Sequence, residues 1–419
     1  MRSSAPMRPT ETIAGLAAFH NRGPGTDAER RAARWLAGDL VANRHRVRIE
    51  TFWCRPNWAL AHAWHVALAL AGSLLAVSYP TIGAILLATA LISTLADATL
   101  GFSAGRRLTP ERASQNVIAS AAPTDQDEPR AKLIITANYD AGRTALIYRD
   151  ALRKNAARVR RATGNIAAGW LAWLAFAIAY ELVIAIVRMT IHHPSSVLGV
   201  IQLPPAVALV LALALLLEAA AARYGPAAGD NAAGAAVATA LTRALADDPP
   251  SNLTVELVLQ GAGEDEQIGL REYLRARKKA LKQTNAIVLG IAPCGAGQAS
   301  YWLSDGRLIP LRYAASLRNL AAHTGANGHR GRGATPALPA RAAGLPAIAI
   351  GGLDGLGLAP RAHQQTDTPA AIHEAALEDA LVLGLALGHA IDASLTTGAQ
   401  TGPQTGPQTG PQTGATTPA

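Results

Sequence analysis

Gly229-Asp230-Asn231-Ala232-Ala233-Gly234 is the stretch whose reading decides the fold of this chain. It follows the turn-forming Tyr224-Gly225-Pro226 and opens the periodic run AAVATALTRALA, so an acidic residue stands in a glycine turn at a helix start. Asp230 either caps its helix, as aspartate often does, or holds a cation. The rest of the chain decides between these readings.

Downstream of the turn the pattern alternates. A helix over 231–246 is followed by a strand at Leu253–Leu259, a helix over 266–282 and a strand at Ala286–Ile291. Then come a hairpin-like segment near Ala299–Leu303, a helix over 309–323, a Gly/Arg-rich loop over 325–343, a strand at Pro346–Ile350 and a helix over 369–393. Upstream, 10–20 and 26–43 read as helices, the second capped at Thr26. Strands are expected at Arg46–Phe52, Ser114–Ser120 and Lys132–Ala137, and a basic helix at Ala145–Arg161. Alternating strands and helices predict a mainly parallel sheet flanked by helices, with function collected in loops beyond strand ends.

Four apolar runs interrupt this α/β pattern: Trp58 to about Val77, Ile82 to about Ala96, Ile166–Val187 and Leu203–Leu217. Each has about the length needed to cross a bilayer, and they fall into two pairs, which predicts two inserted transmembrane hairpins. The loops inside the pairs hold one basic residue, Arg188, whereas residues 1–56 hold ten Arg. The positive-inside rule then puts the soluble domain and both termini in the cytoplasm, with the chain integral to the cell membrane. His62, His65, Asp97, Glu181 and Glu218 lie within or near these spans, Glu181 deepest. No further polar residues line a path, so transport is the weaker reading.

The net charge of +9 is carried almost wholly by Arg lying close to apolar runs, which points to the lipid bilayer as partner and away from nucleic acid. Cys54 and Cys294 are too few for a disulfide framework and fit a reducing compartment. No apolar core of signal-peptide length stands at the N-terminus. The organisation expected is N-terminal helices and first strand over 1–56, hairpins over 57–101 and 166–223, further pieces of the α/β domain over 102–165 and 224–393, and a disordered TGPQ-repeat tail over 394–419.

The order of loop motifs sharpens the turn at Asp230. Asn138-Tyr139-Asp140 follows an apolar strand, then come GDNAAG, VELVLQGAGEDEQIGLREYL, the loop APCGAG and finally AHQQTDT. This order resembles the zinc-dependent exopeptidases of metallopeptidase family 28, whose relatives include glutaminyl cyclases and a non-catalytic receptor ectodomain. The resemblance covers roughly 105–160 and 224–393, with 10–56 similar to that family's N-terminal helices and first strand; the hairpins are an insertion. It implies a zinc-exopeptidase-like α/β fold and a site holding zinc through His, Asp and Glu, with a glutamate as general base.

Carried over motif by motif, the resemblance makes Asp230, Glu264 and His363 metal ligands, with Asp140 retained from the HxD motif. Ungapped matching through Gly269 and Arg271 puts Gly263 at the base position and Glu264 at the ligand position. A one-residue slip would make Glu264 the base and Asp265 the ligand. The histidine of HxD is Asn138, and the aspartate that ends the next strand is Ala292. Those two positions serve one metal and the retained three serve the other, so the resemblance implies a single zinc. Cys294 could replace a lost ligand, although a buried inert thiol is the better reading.

Two functions follow as expectations. One is a membrane-anchored metallo-exopeptidase or amidase acting on N-terminal aminoacyl bonds, with Glu264, Asp265 and Asp140 (or Glu266 as base) in its chemistry. The other, favoured because Asn138, Gly263 and Ala292 each stand where the family has a ligand or base, is a non-catalytic binding or scaffold module with a peptide or protein ligand.

Overall fold

The computed structural model describes residues 6–120, 130–163, 169–191, 195–264 and 266–400. Nine strands form one sheet: β1 (Arg46–Cys54), β2 (Arg112–Ser120), β3 (Ala131–Asn138), β4 (Leu253–Gln260), β5 (Ile287–Ile291), β6 (Gln298–Asp305), β7 (Leu311–Arg312), β8 (Asn327–Arg330) and β9 (Ala347–Leu353). Their order is β1-β2-β4-β3-β5-β9-β6-β7, with β8 paired to β6. The centre, β4-β3-β5-β9, is parallel. β2 joins β4, and β6 joins β9, antiparallel. The central strands are buried along almost their whole length, as LIITA and IVLGI require when helices cover both faces.

Helices α1 (Pro9–Ala17) and α2 (Asp27–Ala42) cover one face, and Thr26 caps α2 by accepting the Glu29 N–H at 3.2 Å. Ile13, Leu16, Leu36 and Leu40 pack there against Leu133, Ile135 and Leu257.

The apolar runs form α3 (Trp58–Leu75) and α4 (Pro80–Leu100), then, after the short α5 (Ala104–Arg107) and the basic α6 (Asp150–Ala162), α7 (Trp170–Thr190) and α8 (Ser196–Ala221). α3 and α7 each pack on both α4 and α8, giving a four-helix bundle with its own apolar core of Ala69, Leu87, Ile178 and Leu209. Ile85, Ile92, Phe176, Val183 and Leu211 point outward and are exposed. α8 starts seven residues before Leu203, where the sequence pattern sets its start, and carries Pro204 and Pro205 inside it. Proline at those positions reads as a breaker, yet a surrounding helix bundle tolerates it.

Below the bundle, α9 (Gly234–Asp247) continues the core under β3 and β4. The helix expected over 266–282 is two, α10 (Ile268–Ala276) and α11 (Lys278–Gln283), parted at Arg277. The segment expected as one helix over 309–323 is β7 followed by α12 (Ala315–Ala322), and the Gly/Arg-rich loop holds β8 and α13 (Leu338–Ala342).

The last helix, α14 (Glu374–Gln400), runs past the expected tail boundary at 394; the repeats over 401–419 lie outside the described residues. Among the described residues five helices are long and apolar enough to cross a membrane: α3, α4, α7, α8 and α14. α14 differs from the other four because Leu377, Leu383, Leu387 and Ile391 are buried in the core on the sheet.

Candidate metal centre

The parallel strands β3, β4, β5 and β9 end at one edge of the sheet, and the loops beyond those ends build the site. Asp230, Glu264 and His363 come together there: the His363 Nε2 stands 3.5 Å from Asp230 Oδ2 and 3.5 Å from Glu264 Oε2. One donor atom from each residue lies within 4.8 Å of the other two. Asp265 lies outside the described residues.

Asp230 does not cap a helix. α9 begins only at Gly234 without a side-chain cap, and Asp230 has an extended backbone (φ −122°, ψ 88°). Its peptide bond to Asn231 is cis. Asp367, the aspartate of the TDT motif, holds this loop by accepting the Gly229 and Asp230 N–H groups at 2.7 and 2.9 Å. Asp140 does the same for the glutamate loop. It is fully buried and accepts the Gly263 and Glu264 N–H groups, each at 3.0 Å. Two aspartates thus spend both oxygens on shaping the loops that carry Asp230 and Glu264.

His363 sits at φ 60°, a left-handed conformation that costs a non-glycine residue about 1–2 kcal/mol. Its Nδ1 lies 3.2 Å from the Arg143 carbonyl, an acceptor, so the neutral ring carries its proton on Nδ1 and presents the Nε2 lone pair to the two carboxylates. Metal-binding histidines are oriented in this way. Tyr148 stacks on the ring at 4.0 Å between centroids, 10° from parallel. Gly142 lets the loop approach: a Cβ there would stand 2.3 Å from the His363 ring and 2.8 Å from Glu264 Oε2.

Electrostatically the centre favours a cation. Burial, then the neighbouring Asp230 and Asp140 charges, push Glu264 well above the usual carboxylate range. Burial lifts Asp230 to about 6 and drops His363 to about 4. A bound divalent ion removes the repulsion that raises the carboxyls. Two carboxylates and an oriented imidazole are a donor set that fits zinc, with a coordination position left for water or a ligand.

Positions 138, 263 and 292 are also close together in space. The Asn138 carboxamide donates to Glu264 Oε1 at 2.6 Å and accepts from Asn231 at 2.8 Å. A Cβ on Gly263 would fall 2.1 Å from the Asn138 Cβ. Ala292 and Gly263 line the same cavity of about 360 Å³ as Asp230, Glu264 and His363. Glu266 is buried and faces the first hairpin, 3.1 Å from Arg307 and 3.9 Å from Arg106. Burial pushes the Cys294 thiol up to about 12, as expected of an inert thiol.

Sequence reading passed over several contributors. Tyr148 and Arg22 carry no motif of their own, and within GDNAAG the motif reading singles out Asp230 and not Asn231. Arg22 is buried and donates to the Tyr139 carbonyl at 2.6 Å and the Ala227 carbonyl at 3.2 Å, tying the loop after β3 to the one that carries Asp230. Trp58 and Trp170, the first residues of α3 and α7, wall the cavity, so the apolar hairpins contribute to the site.

Residues 217–386 match the family model of Peptidase family M28. No curated protein matches the chain in sequence. Among solved structures the fold is similar to that of BSAP, a zinc aminopeptidase from Bacillus subtilis (TM-score 0.53, 13% identity, covering 91% of this chain and 93% of that one). It is also similar to an aminopeptidase from Aneurinibacillus sp. strain AM-1 (0.52, 13%, 91% and 93%) and to a Bacteroides thetaiotaomicron glutaminyl cyclase bound to N-acetylhistamine (0.50, 13%, 91% and 96%). At these identities the likeness is one of fold.

Proposed function

From a chain with a Peptidase family M28 segment in the fold of the zinc aminopeptidases, we propose an integral-membrane protein that holds one zinc ion and binds a ligand without hydrolysing peptide bonds. Asp230, Glu264 and His363 hold the ion. Zinc bound there would supply Lewis-acid polarisation of a ligand oxygen. The bundle α3, α4, α7 and α8 crosses the cell membrane, with the α/β domain and both termini on the cytoplasmic side. The outward apolar face of that bundle and the Arg-rich chain outside it support this placement.

The observation that carries the reading is the packing of Asn138 against Gly263. Dizinc chemistry needs a ligand at the first position and a basic carboxylate at the second. Here the first is a neutral carboxamide already tied to Glu264 and Asn231, and the second has no room for a side chain while Asn138 keeps its place. Loss of a general base costs about 10²–10⁴-fold in rate. Asp140 and Asp367 act as positioning residues because their oxygens are engaged by backbone N–H groups.

The second reading, an active metallo-exopeptidase or amidase, draws on the intact donor triad beside a cavity large enough for an aminoacyl group. Asp265 or Glu266 would then serve as base. Hydrolysis of aminoacyl p-nitroanilides by the zinc-loaded protein separates the two. The proposal expects no turnover above that of His363→Ala; zinc-dependent turnover abolished by that substitution would establish the second reading instead.

A further inference from the structure

The cavity lining also holds positive side chains that are not among the candidate ligands. Arg160 from the last turn of α6, Arg307 from the turn after β6, and His329 and Arg332 from β8 and its following loop all line it. Arg307 is engaged by Glu266 at 3.1 Å. Arg160 pairs with no carboxylate among the described residues. Burial, and then the Arg332 guanidinium near it, lower the pKa of Arg160. The acid on this wall, Asp305, is fully buried and occupied. Its Oδ1 accepts the Gly306 and Gly333 N–H groups at 2.9 and 2.8 Å, and its Oδ2 accepts that of Thr335 at 2.7 Å. That arrangement fixes the loop that carries Arg332.

Two tryptophans line the same cavity. Trp58 and Trp170 form a tilted pair with centroids 5.5 Å apart, each at the head of an apolar helix. Tryptophan at such a position marks the membrane–water interface. Guanidiniums match the oxygens of phosphate or carboxylate through paired N–H donors.

We propose that this cavity binds its ligand through an anionic group, phosphate or carboxylate, seated between Arg160 and Arg332, with the Trp58–Trp170 wall available to an attached apolar chain. This names the ligand class for the cavity of the reading above and rests on that reading for the membrane placement only. The anion comes from an interfacial amphiphile or from a soluble compound, and the test tells them apart.

Full-length protein in a neutral maltoside detergent is titrated with monododecyl phosphate and, separately, with inorganic phosphate, following tryptophan fluorescence. Zinc content is measured on the same samples. Saturable monododecyl phosphate binding is expected, weakened at least tenfold in Arg160→Gln and by less in Arg332→Lys, which keeps the charge but loses the fork. Tighter binding of monododecyl phosphate than of inorganic phosphate assigns the site to an amphiphile, and equal binding assigns it to a soluble anion. Absence of saturable binding of either probe, or binding unchanged in Arg160→Gln, overturns the proposal. So does binding that falls in His363→Ala while Arg160→Gln keeps it, because the metal would then be the anion's seat. A sample without zinc that still binds the anion through Arg160 refutes the single-zinc reading and leaves this one standing.

Discussion

At the residue scale, chemistry here turns on which side chains can share one small volume. Asn138 and Gly263 are a matched pair, since the Cβ that any other residue at 263 would add falls 2.1 Å from the Asn138 Cβ. Gly263→Glu alone is therefore expected to destabilise the protein by about 1–3 kcal/mol, the usual cost of overpacking. Asn138→Ala in the same chain should recover part of it. Thermal unfolding in detergent measures both, and a Gly263→Glu variant as stable as the parent would refute the pairing. Glu29 makes a second residue-scale prediction. It accepts from the Ala262 and Gly25 N–H groups and the Ser114 hydroxyl, and burial followed by the Asp140 charge raises its pKa from 4.5 to about 8. A carboxyl whose pKa is higher folded than unfolded stabilises the fold most below the unfolded value and loses that contribution as pH rises through the folded one. Between about pH 4.5 and 8 the parent should lose stability relative to Glu29→Gln. A difference that is flat, or that grows in the parent's favour, would contradict the assignment.

At the scale of elements, the hairpins join the α/β domain through a buried ionic contact. Asp97 near the end of α4 accepts two N–H groups of Arg106, at 2.8 and 2.9 Å, and the Ser103 hydroxyl at 2.7 Å. Arg106 in turn donates to the Arg55 carbonyl at the end of β1. Breaking a buried pair by removing one partner costs about 3–5 kcal/mol, so Asp97→Asn should lower the free energy of unfolding by that order. A loss below about 1 kcal/mol would mean that the hairpin is held by apolar packing alone. The sequence placed Asp97 near the end of a span and left its partner open, because Arg106 lies in a four-residue helix too short to carry a period. Strands were legible for the opposite reason. LIITA, LVL and IVL are continuous apolar runs of β-branched and aliphatic residues that only a covered parallel sheet accommodates. β7 and β8 were not legible, since their exposed, short and partly charged sequences have no periodicity to read.

At the scale of the whole molecule, Asp230, Glu264 and His363 come from loops separated by tens of residues, and their meeting follows from the parallel order of β4, β3, β5 and β9. Motif order was enough to find Asp230, Glu264 and His363. The role of Asp140 and Asp367 as loop holders became visible only when their oxygens could be followed to backbone N–H groups. Likewise nothing in the sequence of α6 distinguishes Arg160 from its neighbouring arginines; its place in the cavity wall depends on how the second hairpin returns to the domain. The hairpins also contribute to the candidate site: Trp58 and Trp170, the first residues of α3 and α7, line its cavity.

The most direct test of this account is the zinc content of the full-length protein purified in detergent, determined by elemental analysis beside His363→Ala. The account predicts one zinc per chain in the parent and none in the variant. Two zinc ions per chain, no zinc in the parent, or one that survives loss of His363 would contradict it.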